Sequence, residues 1–272
     1  MAASAGPSAR PAFAHIYLVV MENHEYDTIV GSADAPYLNG LIARYGLATD
    51  LHAVAHPSEP NYLALVSGST QGVHDDGVYN LDAPSLFDQI EAAGKTWHVY
   101  AQGYPGSCSG TDFTGDVVDG PGVAGQYARK HNPAISFNSI SRNPGRCARI
   151  TDLAGFDPAA ADFELIVPNQ NNDMHSASVA TGDQFLRSFL PSILDSPAFA
   201  ADSLLIVTWD EGGSDAGGGG HIATILATPK MAPGTRFDGA ATHYSVLRTI
   251  EDAWGMPPLG AAADATPIPV KP

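Results

Sequence analysis

Two stretches, HIYLVVM (15–21) and SLLIVTWDE (203–211), are apolar almost from end to end. Runs of Val, Ile and Leu this continuous leave no face for water, so as strands they must be buried on both sides. That requirement calls for a sheet covered on both faces. TWHVYAQ (96–102), DFELIVP (162–168) and HIATILATP (221–229) also read as strands. Helical patterns fall between them: SLFDQIEAAG (85–94) closed by Gly94, TGDQFLRSFLPSIL (181–194), and HYSVLRTIEDAWG (243–255). Thr181 is a candidate N-cap, and Pro191 is expected to kink its helix. Strand alternating with helix predicts an α/β fold, with a mostly parallel central sheet and helices on both faces. Residues 103–150, rich in Gly, Pro, Asn and Ser, break the rhythm and read as a long loop-rich insertion.

A chain of 272 residues with 44% hydrophobic content supports one large core. The expected division is a flexible N-terminus (1–14), a single domain (15–256) and a C-terminal tail (257–272). The 29 acidic residues outnumber the 13 basic ones, giving a net charge of −16. A broad basic patch for nucleic acid or an anionic membrane is therefore not expected. No apolar run reaches the roughly 18–20 residues of a spanning helix, so no stable membrane insertion is expected. The opening MAASAGPSARPAFA lacks a basic segment followed by an apolar core. It reads as a mature secreted or periplasmic chain whose signal peptide has been removed, with a cytosolic start as the alternative. Cys108 and Cys147 both lie in loop-like sequence, YPGSCSG and NPGRCARI. That context fits a disulfide better than buried thiols, and points outside the reducing cytosol. Oligomeric state is not legible.

Ligands of open parallel sheets gather at the carboxyl ends of the strands. Glu22 and Asn23 follow the first strand, and NQNNDMHS (169–176) follows DFELIVP. Asp210 and Glu211 end SLLIVTW, a Gly-rich loop leads on to His221, and His243 opens the last helix. HPSEPNY (56–62) adds Ser58 just before a helical run. There Ser58 is either an N-cap or a nucleophile at a helix N-terminus, and position alone leaves both open. Carboxylates, amides and a hydroxyl form a ligand set for Ca²⁺, Mg²⁺, Mn²⁺ or Zn²⁺. The loops 22–27, 56–62, 169–176 and 210–221 contain no Lys or Arg. A phosphate ester bound among them needs a metal, with histidines, to offset its charge. GxSxG and HExxH are absent, no GxGxxG follows a strand, and AGKT (93–96) lacks the earlier Gly of a P-loop.

The ordered motifs MENHEYD, HPSEPNY, YARKHNP, NQNNDMHS, TWDEGG and THYSVLRTIEDAWG resemble the bacterial and fungal phosphoesterase family, of the alkaline phosphatase superfamily. That family includes secreted acid phosphatases and non-specific phospholipases C. The resemblance implies an alkaline phosphatase-like fold and a metal-dependent hydrolase of small phosphate monoesters working through a phosphoseryl intermediate. It implies Glu22, Asn23, Ser58, Asp210 and Glu211 at the metal, with Ser58 as nucleophile. His131, Asp173 and His175 become acid–base or orienting residues, and Asn23, His131, His175 and His243 substrate contacts. His24 departs from the basic residue of lipase-type members, and GGGGHIATI departs from a Gly-Arg-Val pattern. Both departures, with the short chain, lean towards a compact acid phosphatase. The alternatives are a phospholipase C, a non-catalytic phosphate- or metal-binding protein of the same fold, and a metal-free Ser/His/Asp esterase.

Overall fold

The structure is a computed structural model that describes residues 13–108 and 127–272. Most of the expected N-terminal stretch 1–14, and residues 109–126 of the insertion, lie outside the described residues. The strands are β1 (His15–Met21), β2 (Gly46–Ala48), β3 (Leu51–His52), β4 (Trp97–Ala101), β5 (Ile150–Thr151), β6 (Phe163–Val167), β7 (Ser203–Trp209), β8 (Thr224–Ala227), β9 (Thr235–Phe237) and β10 (Ala241–Thr242). Eight of them form one sheet in the order β5-β4-β6-β1-β7-β8-β2-β9, and β3 pairs with β10. Among the described strands of the large sheet, only β8 runs against its neighbours. β7, a central strand, is buried along its whole length, and so is β1 beyond its first residue. The α/β reading with a mostly parallel sheet therefore holds.

Among the helices, Ser58–Ser67 packs against His243–Trp254, and Pro36–Arg44 against Val179–Phe189. Two local expectations are corrected. Ser178, not Thr181, caps the Val179 helix, its hydroxyl accepting the Thr181 N–H. Pro191 starts a separate helix, Pro191–Leu194, rather than kinking a continuous one, because its ring is accommodated only in a first turn. The insertion is not wholly loop. Short helical turns at Arg129–His131, Pro133–Ser136, Asn138–Ser141 and Pro144–Cys147 lead to the Cys108–Cys147 disulfide.

The Ser58 helix ends at Gly68, whose φ is +67° and whose N–H closes on the Ala64 carbonyl. A Cβ there would stand 2.0 Å from the Leu259 carbonyl oxygen. Backbone meets backbone at this point, and the segment beyond it packs on the last helix with Ala262 and Ile268 buried. Gly68→Ala combines left-handed strain with a clash that no side chain can relieve. It is expected to cost roughly 2–5 kcal/mol in urea unfolding, whereas Gly94→Ala, equally left-handed but with open space around it, shows only the strain.

Candidate active site

The parallel register sets the site. Beyond the strand ends, the Asp210 N–H donates to the Met21 carbonyl and the Glu22 N–H to the Asp173 carbonyl, both at 2.9 Å. These bonds, beyond the ends of β7 and β1, bring Glu22, Asp173 and Asp210 together at the carboxyl edge, none exposed to solvent. Burial pushes Glu22 well above the ordinary carboxylate range, and the charges of Asp210 and Asp173 push the same way. Burial likewise drives Asp173 well up. Asp210 is pushed up to about 7, by burial first and the charge of Glu211 second. Carboxylates crowded in this way repel unless a cation lies among them.

Backbone strain marks the same spot. Asn23 has a φ of +24° and Met174 one of +86°. Each follows a buried acid, Glu22 or Asp173. Asn tolerates positive φ better than most residues, and Met does not. The strain is held by hydrogen bonds to the acids: Asn23 N–H to Asp210 Oδ1 at 3.0 Å, and His175 N–H to Asp173 Oδ1 at 2.8 Å.

Ser58 is the first residue of its helix, with Pro57 at the cap position. Its hydroxyl makes no cap; it donates to Glu22 Oε2 at 3.2 Å. Tyr62 stands one turn further on the same face and donates to Glu22 Oε1 at 2.6 Å. His131 lies between two acids, Nε2 at 3.1 Å from Glu22 Oε1 and Nδ1 at 3.4 Å from Asp173 Oδ2. Neither ring nitrogen makes a regular hydrogen bond, nor do Asp173 Oδ2 and Asp210 Oδ2. Burial holds His131 well below the usual imidazole range, and the nearby Lys130 charge adds to that. His175 is half-buried, its ring centre 5.9 Å from that of His131.

The remaining expected residues stand further back. The Glu211 carboxylate is taken by His56, with Nδ1 at 2.5 Å from Oε2. His56 also bonds the Ser214 carbonyl at 3.0 Å. Buried His243 holds the Asp210 carbonyl at 2.5 Å through Nε2, and burial pushes it down to about 4. His221 lies outside the carboxylate cluster, stacked between Tyr26 and His52. Its N–H, together with the Gly213 and Ser214 N–H groups, is bound by Glu25, which pins the Gly-rich loop.

Sequence reasoning missed Tyr62, Lys130 and the Glu25 anchor. Tyr62 was legible as the residue four after Ser58. Lys130 corrects the expectation of a site without a cationic side chain. It arrives from the insertion, with Nζ 3.5 Å from Ser58 Oγ and 2.9 Å from Asp76 Oδ2. Its only sequence signal is adjacency to His131.

A hydroxyl, acids and imidazoles at the carboxyl edge of such a sheet are the groups of a hydrolase, and the family and relatives that the chain matches make it one acting on phosphoric esters. The model of the phosphoesterase family matches residues 32–257, and the chain belongs to that family. The phosphatidylinositol-3-phosphatase of Mycobacterium tuberculosis is 35% identical over 96% of this chain and 83% of its own length. An acid phosphatase of Aspergillus fumigatus is 31% identical over 92% of this chain, which spans 56% of that enzyme. Among solved structures, the lipoteichoic acid synthase LtaP of Listeria monocytogenes superposes with a TM-score of 0.62 at 11% identity, covering 95% of this chain and 79% of that one. A phosphonate monoester hydrolase of Agrobacterium radiobacter gives 0.59 at 14%, covering 92% and 74%. A protein in the alkaline phosphatase superfamily from Vibrio parahaemolyticus gives 0.58 at 14%, covering 91% and 68%. These structures carry the fold alone, which is alkaline phosphatase-like.

Proposed function

We propose that the chain is a metal-dependent phosphomonoesterase of the acid phosphatase type, with Ser58 as nucleophile. The observation that carries this is the Ser58 hydroxyl, buried at a helix N-terminus and hydrogen-bonded to Glu22 within a cluster of buried acids. Donor chemistry fits a divalent cation. The Glu22, His131 and Asp173 ligand atoms lie within 4.8 Å of one another, and Asp210 Oδ2 makes no regular hydrogen bond. We assign the ion to Glu22, Asp210 and the Ser58 oxygen with Asn23 adjoining, because His131 and Asp173 face each other as an imidazole and its orienting acid. Glu211, bound to His56, then supports the turn after β7. Such an ion supplies positive charge that lowers the hydroxyl pKa and draws in the phosphate.

The chain's own groups do the rest. Ser58 gives up its proton along its bond to Glu22, and its oxygen bonds phosphorus as the bond to the leaving oxygen breaks. His131, oriented by Asp173, contacts the phosphoryl oxygens. His175, on the more open side, protonates the leaving oxygen and then takes a proton from the water that cleaves phosphoserine. His243 holds the Asp210 backbone. The relatives' names favour a monoester over a phosphodiester, and Val78 is the one large hydrophobic side chain exposed among the described residues. Among those residues no helix is long and apolar enough to cross a membrane. The disulfide supports a location outside the reducing cytosol.

The test is hydrolysis of a chromogenic phosphomonoester with bound metal measured alongside. Chelation is expected to abolish activity, and one added ion to restore it. Asp210→Asn is expected to bind metal at least tenfold more weakly, and His131→Ala to bind it nearly normally. Full activity in a chelated, metal-free sample refutes the reading.

A further inference from the structure

The geometry points to Lys130 as a catalytic residue that contacts the nucleophile and the transferring phosphoryl group, and so selects dianionic monoesters over monoanionic diesters. This inference rests on the Ser58 reading above and deepens it. Lys130 Nζ lies 3.5 Å from Ser58 Oγ, close enough to reach an oxygen on a phosphorus bonded there. The side chain is largely buried and is not left to wander. Asp76 Oδ2 holds Nζ at 2.9 Å while Asp76 Oδ1 accepts the Glu59 N–H at 3.0 Å. One carboxylate thus fixes the ammonium to the first turn of the Ser58 helix, whose free N–H groups already favour an anion.

Charge explains why such a group is needed. Glu22, Asp173 and Asp210 are all buried around the nucleophile. A divalent ion held by Glu22 and Asp210 has its charge offset by those two acids, which leaves a phosphate dianion in need of a further cation. A diester brings one charge fewer and so depends less on a further cation. Lys130 keeps its protons throughout; its contribution is fixed positive charge where the phosphoryl oxygens lie in the transition state.

The experiment compares wild type, Lys130→Met and Lys130→Arg on an aryl phosphomonoester and the matching methyl phosphodiester, with inorganic phosphate as inhibitor and thermal unfolding as a control for folding. Lys130→Met is expected to lose about 100-fold in kcat/KM on the monoester and less than about fivefold on the diester. The inhibition constant of phosphate should rise at least tenfold, and Lys130→Arg should recover most of each loss. Lys130→Gln, which keeps a polar contact to Asp76, repeats the comparison should the methionine variant unfold. Equal losses on both esters, an unchanged phosphate constant, or an arginine variant as impaired as the methionine one overturns the inference. A wild type without monoesterase activity, or an active Ser58→Ala, overturns the parent reading and this one with it. An inactive Ser58→Ala beside an unaffected Lys130→Met overturns this one alone.

Discussion

Ser58→Ala is expected to lower kcat/KM for a phosphomonoester on the order of 10⁴-fold or more, the scale seen when a covalent nucleophile is removed. The variant should still fold. The substitution deletes one hydroxyl that donates to Glu22, while Tyr62 still donates to the other Glu22 oxygen. The helix keeps its Pro57 cap position and its αL Gly68 terminus. Losing one buried hydrogen bond to a carboxylate changes the unfolding free energy by about 1–3 kcal/mol, which leaves the protein folded, so lost activity will not be lost fold. The same pair of proteins tests the intermediate. Acid quenching of wild type during turnover should trap phosphate on Ser58, found by peptide mass analysis, and the variant should trap none. Label on another residue, or a variant within tenfold of wild type, removes Ser58 from the chemistry.

What could be read in the sequence follows from where order is periodic. β1 is found at 15–21 as expected and β7 at 203–209, because continuous burial leaves a continuous apolar signature. Acids at strand ends are legible for the same reason: a polar residue directly after such a run must lie at a sheet edge. The direction of β8 was not legible, since an apolar run reads the same both ways. Asp210 and Glu211 were expected to share a role, and two adjacent acids give no sign in the sequence of which partner each side chain takes. Asp210 faces Glu22 and Ser58, and Glu211 goes to His56. Lys130 was least legible of all. It reaches Ser58 through a segment without periodicity, placed by tertiary contacts and by the Cys108–Cys147 bond rather than by local pattern.

Those tertiary contacts are the reason to expect the largest stability loss at Arg129. Its guanidinium lies beside Glu59, NH1 at 3.6 Å from Oε1, with both side chains 1% exposed. It also donates to the Tyr79 carbonyl at 2.8 Å, and Glu59 Oε1 accepts the Ser136 hydroxyl at 3.1 Å. The pair joins the residue after Ser58 to the residue before Lys130. Arg129→Met fills a similar volume but leaves the Glu59 charge in the core without its cation, which costs about 3–5 kcal/mol. Combining it with Glu59→Gln removes the stranded charge, so the double variant should be more stable than Arg129→Met alone, a non-additivity that urea unfolding reads directly. Activity should separate the scaffold from the site. At a temperature where Arg129→Met is still folded, kcat is expected to fall at least tenfold, because Lys130 and His131 lose their anchor on the Ser58 helix. Metal binding should largely be kept, since Glu22 and Asp210 are placed by the ends of β1 and β7 rather than by the pair. A single variant within 1 kcal/mol of wild type, or one destabilised but with full kcat, would show that the 127–131 segment is held to the Ser58 helix by other contacts.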